Sequence, residues 1–367
     1  METKFDDFKK LLRSLNNPQN AYPCIHIAGS NGKGSVAFKI AKALEFSGYR
    51  VGLNTSPHLF SFCERIQINS EPIAESRVEE ISAGWEPTLS FFERATIVAF
   101  EYFRQEKVDI AVIETGLGGR LDATNVITSI LSIITSISIE HSAILGSTLE
   151  EIAAEKAGII KRRVPVVIGP HADFEAIYKK AAELGSPVYK SYLGGFYDAE
   201  NNAIARRALE LLGIKEDCIA EALTKRPPCR FEKVGEAIFD VAHNPDAFIR
   251  LIEALSEQYP NQKKRFVFGM SKDKDWAACL KLIMPIAEHI YLVKASTERA
   301  ASLKDLSSVL YANYSCYERI TEALEVGYPQ VLQRKELLVI CGSFYIMEEA
   351  RVFLSPKKMS SISVCVK

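Results

Sequence analysis

Short apolar runs separated by stretches of helical spacing recur along the whole chain. Cys24–Ala28 reads as a strand, followed by a glycine-rich turn. Ser35–Phe46 carries apolar residues at helical intervals, with Gly48 as a C-terminal stop. Arg50–Asn54 predicts a second strand. Asp109–Glu114 (DIAVIE) and Leu131–Thr135 (LSIIT) are nearly continuous apolar runs, the pattern of strands buried on both faces of a parallel sheet. Ser147 with Glu150 fits a capping box that opens a helix running to about Lys156. Pro165–Gly169 predicts a further strand and Ala172–Leu184 a further helix. This alternation implies a phosphate-loop α/β domain with a doubly wound parallel sheet.

The pattern is interrupted at Thr224–Cys229, TKRPPC, where Pro227 and Pro228 cannot continue a helix. The segment is read as a linker between residues 1–224 and a smaller, Rossmann-like α/β domain over 230–367. Strands are predicted there at Ala237–Val241, Arg265–Phe268, His289–Val293 and Leu337–Cys341. A length of 367 residues agrees with two cores.

Composition narrows the function. The formal net charge of −1 gives no electrostatic footprint for nucleic acid. No apolar run approaches the ~18 residues of a membrane helix. The start, METKFDDFKKLLRSL, lacks the apolar core of a secretory signal. The eight cysteines form no CxxC pair, which suits reduced thiols and a cytoplasmic location.

The strongest chemical signal is Gly29-Ser30-Asn31-Gly32-Lys33-Gly34-Ser35, placed between a predicted strand and a predicted helix. Backbone N–H groups in such a turn cradle phosphate, and the helix N-terminus adds partial positive charge. Lys33 can reach the β- and γ-phosphates and Ser35 can ligate Mg²⁺. Gly34 departs from the common loop by separating lysine from hydroxyl. The plainer alternative is an ordinary glycine-rich turn. Glu114 closes an apolar strand where α/β sheets bind ligands, so it is either an oxygen ligand for Mg²⁺ or a solvated acid. His141 is expected at a strand tip beside the phosphate loop, as metal ligand or as structural histidine. Lys156, taken locally, is a cation complementing the end of its helix.

Taken in order, these segments resemble the folylpolyglutamate synthase/dihydrofolate synthase family within the Mur ligase superfamily. The resemblance rests on Asn17-Pro18-Gln19, HIAGSNGKGSVA from His26, TSPHL from Thr55, ERIQINSEPI from Glu64 and FFERATIVAF from Phe91. It continues with ETGLGGRLDATN from Glu114, SIEH from Ser138, EKAGIIK from Glu155 and DVAHNP from Asp240. Three positions depart from the usual pattern: Cys229 and Val241 stand where glycine is common, and Glu140 where aspartate is.

The resemblance implies an ATP-dependent ligase that forms an amide between L-glutamate and dihydropteroate or a folate through an acyl phosphate. It implies Mg²⁺ on Ser35, Ser56, Glu114 and His141, with a stimulating monovalent cation. It makes Lys33, His141 and Lys156 catalytic, Lys156 as a carbamate. Thr96, Leu121 and Asp122 would line the pterin-substrate site. Asn202, Arg230, Asp240 and His243 would join the phosphate loop in holding ATP across a cleft that closes, in a monomer. A Mur-type cell-wall ligase and a nucleotide-dependent regulatory ATPase are the competing readings.

Overall fold

A computed structural model describes residues 2–83, 89–192, 197–311 and 313–354. The chain divides into two compact units, Met1–Pro227 and Pro228–Lys367.

In the first unit the strands are β1 (Cys24–Ala28), β2 (Val51–Asn54), β3 (Ile66–Ile68), β4 (Glu71–Pro72), β5 (Ile110–Glu114), β6 (Ser129–Ser136), β7 (Val166–His171) and β8 (Val188–Lys190). They form one sheet of order β4-β3-β2-β5-β1-β6-β7-β8. The six strands from β2 to β8 are parallel, and β3 and β4 add an antiparallel edge. Successive side chains of the central strands point to opposite faces, and their nearly continuous apolar runs are buried on both. Ile25, Ile27, Val112, Leu131 and Ile133 pack with Val36, Ile40 and Leu44 of helix Lys33–Phe46. Cys24, Ala111 and Ile113 face the other way, against Phe100 and Phe103 of helix Phe91–Gln105 and Phe8 of helix Glu2–Ser14.

In the second unit the strands are β9 (Glu232–Val234), β10 (Ala237–Phe239), β11 (Lys264–Phe268), β12 (Ala287–Val293), β13 (Tyr314–Tyr317) and β14 (Leu337–Cys341). Their order is β13-β12-β11-β14-β10-β9, parallel except for the antiparallel β9. At the amino ends of β11 and β14, Arg265 pairs with Glu336; both are buried, and Arg265 also donates to the Tyr291 hydroxyl at 3.1 Å.

One predicted cap is corrected. The box is Thr148 with Glu151, not Ser147 with Glu150, and the helix is Leu149–Ala157. Two overlapping Ser/Thr-x-x-Glu frames fit the motif. The structure uses the second because the Glu150 carboxylate instead accepts the Ala176 N–H at 3.1 Å, in the first turn of helix Glu175–Leu184. That helix begins three residues later than the predicted Ala172, at Glu175. Among the described residues no helix is long and apolar enough to cross a membrane.

Candidate active site

The phosphate loop leaves β1 and enters helix Lys33–Phe46 at Gly32, whose φ is +86°. The end of β6 holds it in shape. Ser30 N donates to Ser136 O at 2.8 Å, and Asn31 N to Ser136 Oγ at 2.9 Å. Thr135 Oγ1 donates to Asn31 O at 2.6 Å, and Ser30 and Ser138 exchange two further bonds. A Cβ at Gly29 would collide with Thr135 Oγ1, so only glycine lets loop and strand approach. Lys33 Nζ lies across the loop, donating to Gly29 O at 2.8 Å and Ser30 O at 3.2 Å. These weak neutral acceptors could yield to a phosphate, a stronger charged one. The hydroxyls of Thr135 and Ser136 that hold the loop escaped the sequence reading, although a polar cluster closing an apolar strand was the available signal.

Glu114 ends β5, next to β1. Its carboxylate is 3% exposed and accepts the Ser56 N–H at 2.9 Å, which removes the solvated-acid alternative. A Cβ on Gly34 would stand 3.4 Å from Glu114 Oε2, an ordinary contact, so the carboxylate lies against the start of the helix beside buried Ser35. Thr115 Oγ1 and Ser138 Oγ, past the ends of β5 and β6, are buried without a hydrogen-bond partner. Carboxylate and hydroxyl oxygens with polar atoms to spare fit a hard cation such as Mg²⁺. No cluster of three or more His, Cys, Asp or Glu side chains suited to a metal occurs among the described residues, and the expected set draws on two serines instead. His141 is not at the tip of β6, which ends at Ser136. It is exposed, at φ +46°, capping the short helix Ser142–Leu145.

Lys156 is no helix-end surface cation. Its side chain is 1% exposed and Nζ lies 2.8 Å from Glu140 Oε1. Burial lowers the Lys156 ammonium to about 8, against the opposing pull of Glu140. Burial raises the Glu140 carboxyl, but Lys156 and Lys33 outweigh it and hold the group down at about 2. Glu140 is thus the buried partner of Lys156, a pairing the sequence did not show.

The Gly116–Asn125 segment is fastened to the segment that carries Lys156. Arg120 N donates to Glu155 O at 2.8 Å, and Arg120 pairs with the Glu155 carboxylate at 2.9 Å. A Cβ on Gly119 would come 2.8 Å from Glu155 O, and one on Gly158 2.5 Å from Arg120 Cα. Asn125 Nδ2 donates to the carbonyls of Arg120 and Gly158, and Lys161 donates back to Asn125 at 2.7 Å. Asp122 is buried; Oδ2 accepts from Leu117 N at 2.7 Å, and Oδ1 from Thr124 N and Oγ1 at 3.0 and 2.5 Å. Leu121 beside it is half-buried. Thr96 is buried, its hydroxyl donating to Phe92 O at 2.8 Å within its own helix.

Asn202 sits on helix Tyr197–Leu211, where its Oδ1 is buried without a partner, and contributes to a cavity of about 880 Å³ bordered by Ser191, Asp198 and Arg226. Its neighbour Asn201 approaches Gly32. Lys39, fully buried on the phosphate-loop helix, pairs with Asp198 at 3.2 Å and donates to Leu223 O and Lys225 O, fixing this helix and the approach to Pro227.

In the second unit Asp240 follows β10, accepting from Phe231 N at 2.9 Å and Ala242 N at 2.8 Å. His243 Nδ1 donates to Val241 O at 2.9 Å, and its ring meets Phe344 edge-on. The Arg230 guanidinium stacks over the same Phe344 ring, 5.1 Å from its centre. Cys229 takes φ +54°, the left-handed conformation that glycine adopts without strain.

A phosphate loop on a parallel sheet, a buried strand-end carboxylate and a second α/β unit define a nucleotide-dependent ligase of the Mur type. Residues 229–344 match the family model described as Mur ligase, glutamate ligase domain. Over 93% of its length the chain is 33% identical to the folylpolyglutamate synthase of Lacticaseibacillus casei, covering 92% of that relative. It is 30% identical to the dihydrofolate synthase/folylpolyglutamate synthase of Bacillus subtilis, over 94% of this chain and 93% of that one. A solved bifunctional folylpolyglutamate synthase/dihydrofolate synthase with Mn, AMPPNP and L-glutamate bound superposes with a TM-score of 0.86 at 30% identity, covering 95% of this chain and 94% of that chain. The chain belongs to the folylpolyglutamate synthase/dihydrofolate synthase family.

Proposed function

We propose that this chain joins the amine of L-glutamate to the carboxyl group of dihydropteroate or a folate, with cleavage of ATP to ADP and phosphate. The observation that carries the reading is the gathering of chemistry-bearing segments past the strands β5, β1 and β6: the phosphate loop bonded to the end of β6, the Glu114–Ser56 pair at the end of β5, and the Gly116–Asn125 segment bonded to the one that carries Lys156. The substrate carboxylate attacks the γ-phosphorus and ADP leaves, giving an acyl phosphate. The glutamate amine attacks that carbonyl, loses a proton, and phosphate departs.

Two anions meet in the first step, so positive charge must be supplied. Lys33 would leave the carbonyls of Gly29 and Ser30 for the γ-phosphate. Ser35, Ser56, Glu114 and His141 would hold Mg²⁺, which when bound neutralises phosphate charge. Asn202, Arg230, Asp240 and His243 would hold the nucleotide. Thr96, Leu121 and Asp122 would shape the pterin site, Asp122 by pinning its loop. A carbamate on Lys156 would form from the neutral amine, which burial favours, by addition to carbon dioxide with release of one proton to solvent; Glu140 would then have to turn away from the new negative charge. The reading extends to stimulation by a monovalent cation and to a monomer acting on small molecules in the cytoplasm, without nucleic acid. The dihydrofolate synthase of bacterial relatives is commonly bifunctional in name, and both acceptors are expected here. Product mass after incubation with ATP, glutamate and either dihydropteroate or tetrahydrofolate tests this; no glutamate adduct with either acceptor would refute it.

A further inference from the structure

His26 lies in the middle of β1, paired with Ile113 of β5 and Ser132 of β6, and is fully buried. It is closed off from solvent, and its Nε2 stands 2.8 Å from Thr124 Oγ1. Proton counting fixes the roles. Thr124 has a single hydroxyl hydrogen, and the 2.5 Å contact to Asp122 Oδ1 requires it, because a carboxylate can only accept. Thr124 Oγ1 therefore accepts from His26, and the imidazole carries its proton on Nε2. Its Nδ1 is then a bare acceptor, and it is the buried atom left without a partner. A singly protonated ring agrees with burial pushing the imidazole well below its ordinary range. A buried orphan acceptor carries a cost that an apolar residue at this position would avoid.

What this donor supports is specific. The hydroxyl it orients feeds Asp122, and Asp122 in turn receives the Leu117 N–H, closing the Gly116–Asp122 loop. We propose that His26 and Thr124 are positioning residues for the carboxylate substrate: a relay from the phosphate-loop strand through Thr124 to Asp122 sets the loop that shapes the acceptor site. The proposal rests on the acceptor-site reading given above. It couples the strand that presents ATP to the loop that presents the acceptor, within one sheet layer.

The test compares His26→Leu, His26→Gln and Thr124→Val in the full chain, with kcat and KM measured separately for ATP and for the pteroate or folate acceptor. The Gln amide places a donor near the position of Nε2; Leu does not, and Val removes the hydroxyl while keeping shape. Expected are a roughly tenfold or greater loss of kcat/KM for the acceptor in His26→Leu and Thr124→Val, a KM for ATP within about twofold of wild type, and recovery to within about threefold in His26→Gln. Equal losses towards both substrates, or a His26→Gln variant no better than His26→Leu, would show simple packing and overturn the relay. Should His26→Leu not fold, Thr124→Val reads the same link. Acceptor-dependent ADP release by the wild type separates the two levels: its absence defeats the functional reading, whereas its presence with an unimpaired Thr124→Val defeats only the relay.

Discussion

Of the buried ion pairs in this chain, one in each unit lies against a parallel sheet, and these two sit at opposite ends of their strands. Lys156–Glu140 lies in the first unit among residues that follow the carboxyl end of β6, where such sheets bind ligands. Arg265–Glu336 lies in the second unit at the amino ends of β11 and β14, with Tyr291 completing its hydrogen bonds. The chemistry of burial is alike, since two charges leave water and compensate each other. Position separates a pair available to a reaction from one that fastens a sheet.

Mutations should separate them in the same way. The largest effect is expected beside the first pair: Lys33→Ala should lower turnover by at least about a hundredfold, because a charge on the transferring phosphate is lost. Its melting curve should stay near wild type, since the half-buried side chain bonds only two carbonyls of its own loop. Near-normal turnover would remove the phosphate-loop assignment. Lys156→Ala should cut kcat, per folded molecule, far more than any loss of folded protein explains, and bicarbonate or a short carboxylic acid should partly restore it if a carbamate operates. Loss of stability alone would place this pair with the other one.

Arg265→Ala or Glu336→Ala should do the reverse, costing about 3–5 kcal/mol of stability by leaving a buried charge alone, with kcat per folded molecule unchanged. The double change Arg265→Met with Glu336→Leu should be close to neutral in denaturant melts, and a loss as large as the single changes would show that the pair itself is needed. Smallest is the cap before the Lys156 helix. Thr148→Ala should cost about 1 kcal/mol and Ser147→Ala less than about 0.5 kcal/mol; the opposite ranking would restore the Ser147 frame.

The sequence reveals what depends on neighbours along the chain. Asp109–Glu114 and Leu131–Thr135 are apolar on both faces, so β5 and β6 could be read directly, and Gly29–Ser35 declares itself by strand, glycines and helix. The competing capping frames could not be resolved, because the choice depends on Glu150 meeting Ala176. Glu140 stayed hidden as a partner of Lys156 because sixteen residues and a left-handed turn at His141 separate them. His26 read as one more apolar-strand position; its role depends on Thr124, ninety-eight residues away. Such pairings follow from the order of strands in the sheet, which periodicity does not encode.

The proposed function turns on phosphoryl transfer to a carboxylate acceptor rather than to water. The direct measurement is phosphate release from ATP, with Mg²⁺ and L-glutamate present, in the absence and presence of dihydropteroate or tetrahydrofolate. A nearly idle enzyme is expected without an acceptor, and one phosphate released per amide formed with it. Equal phosphate release in both conditions would contradict it and identify a regulatory ATPase instead.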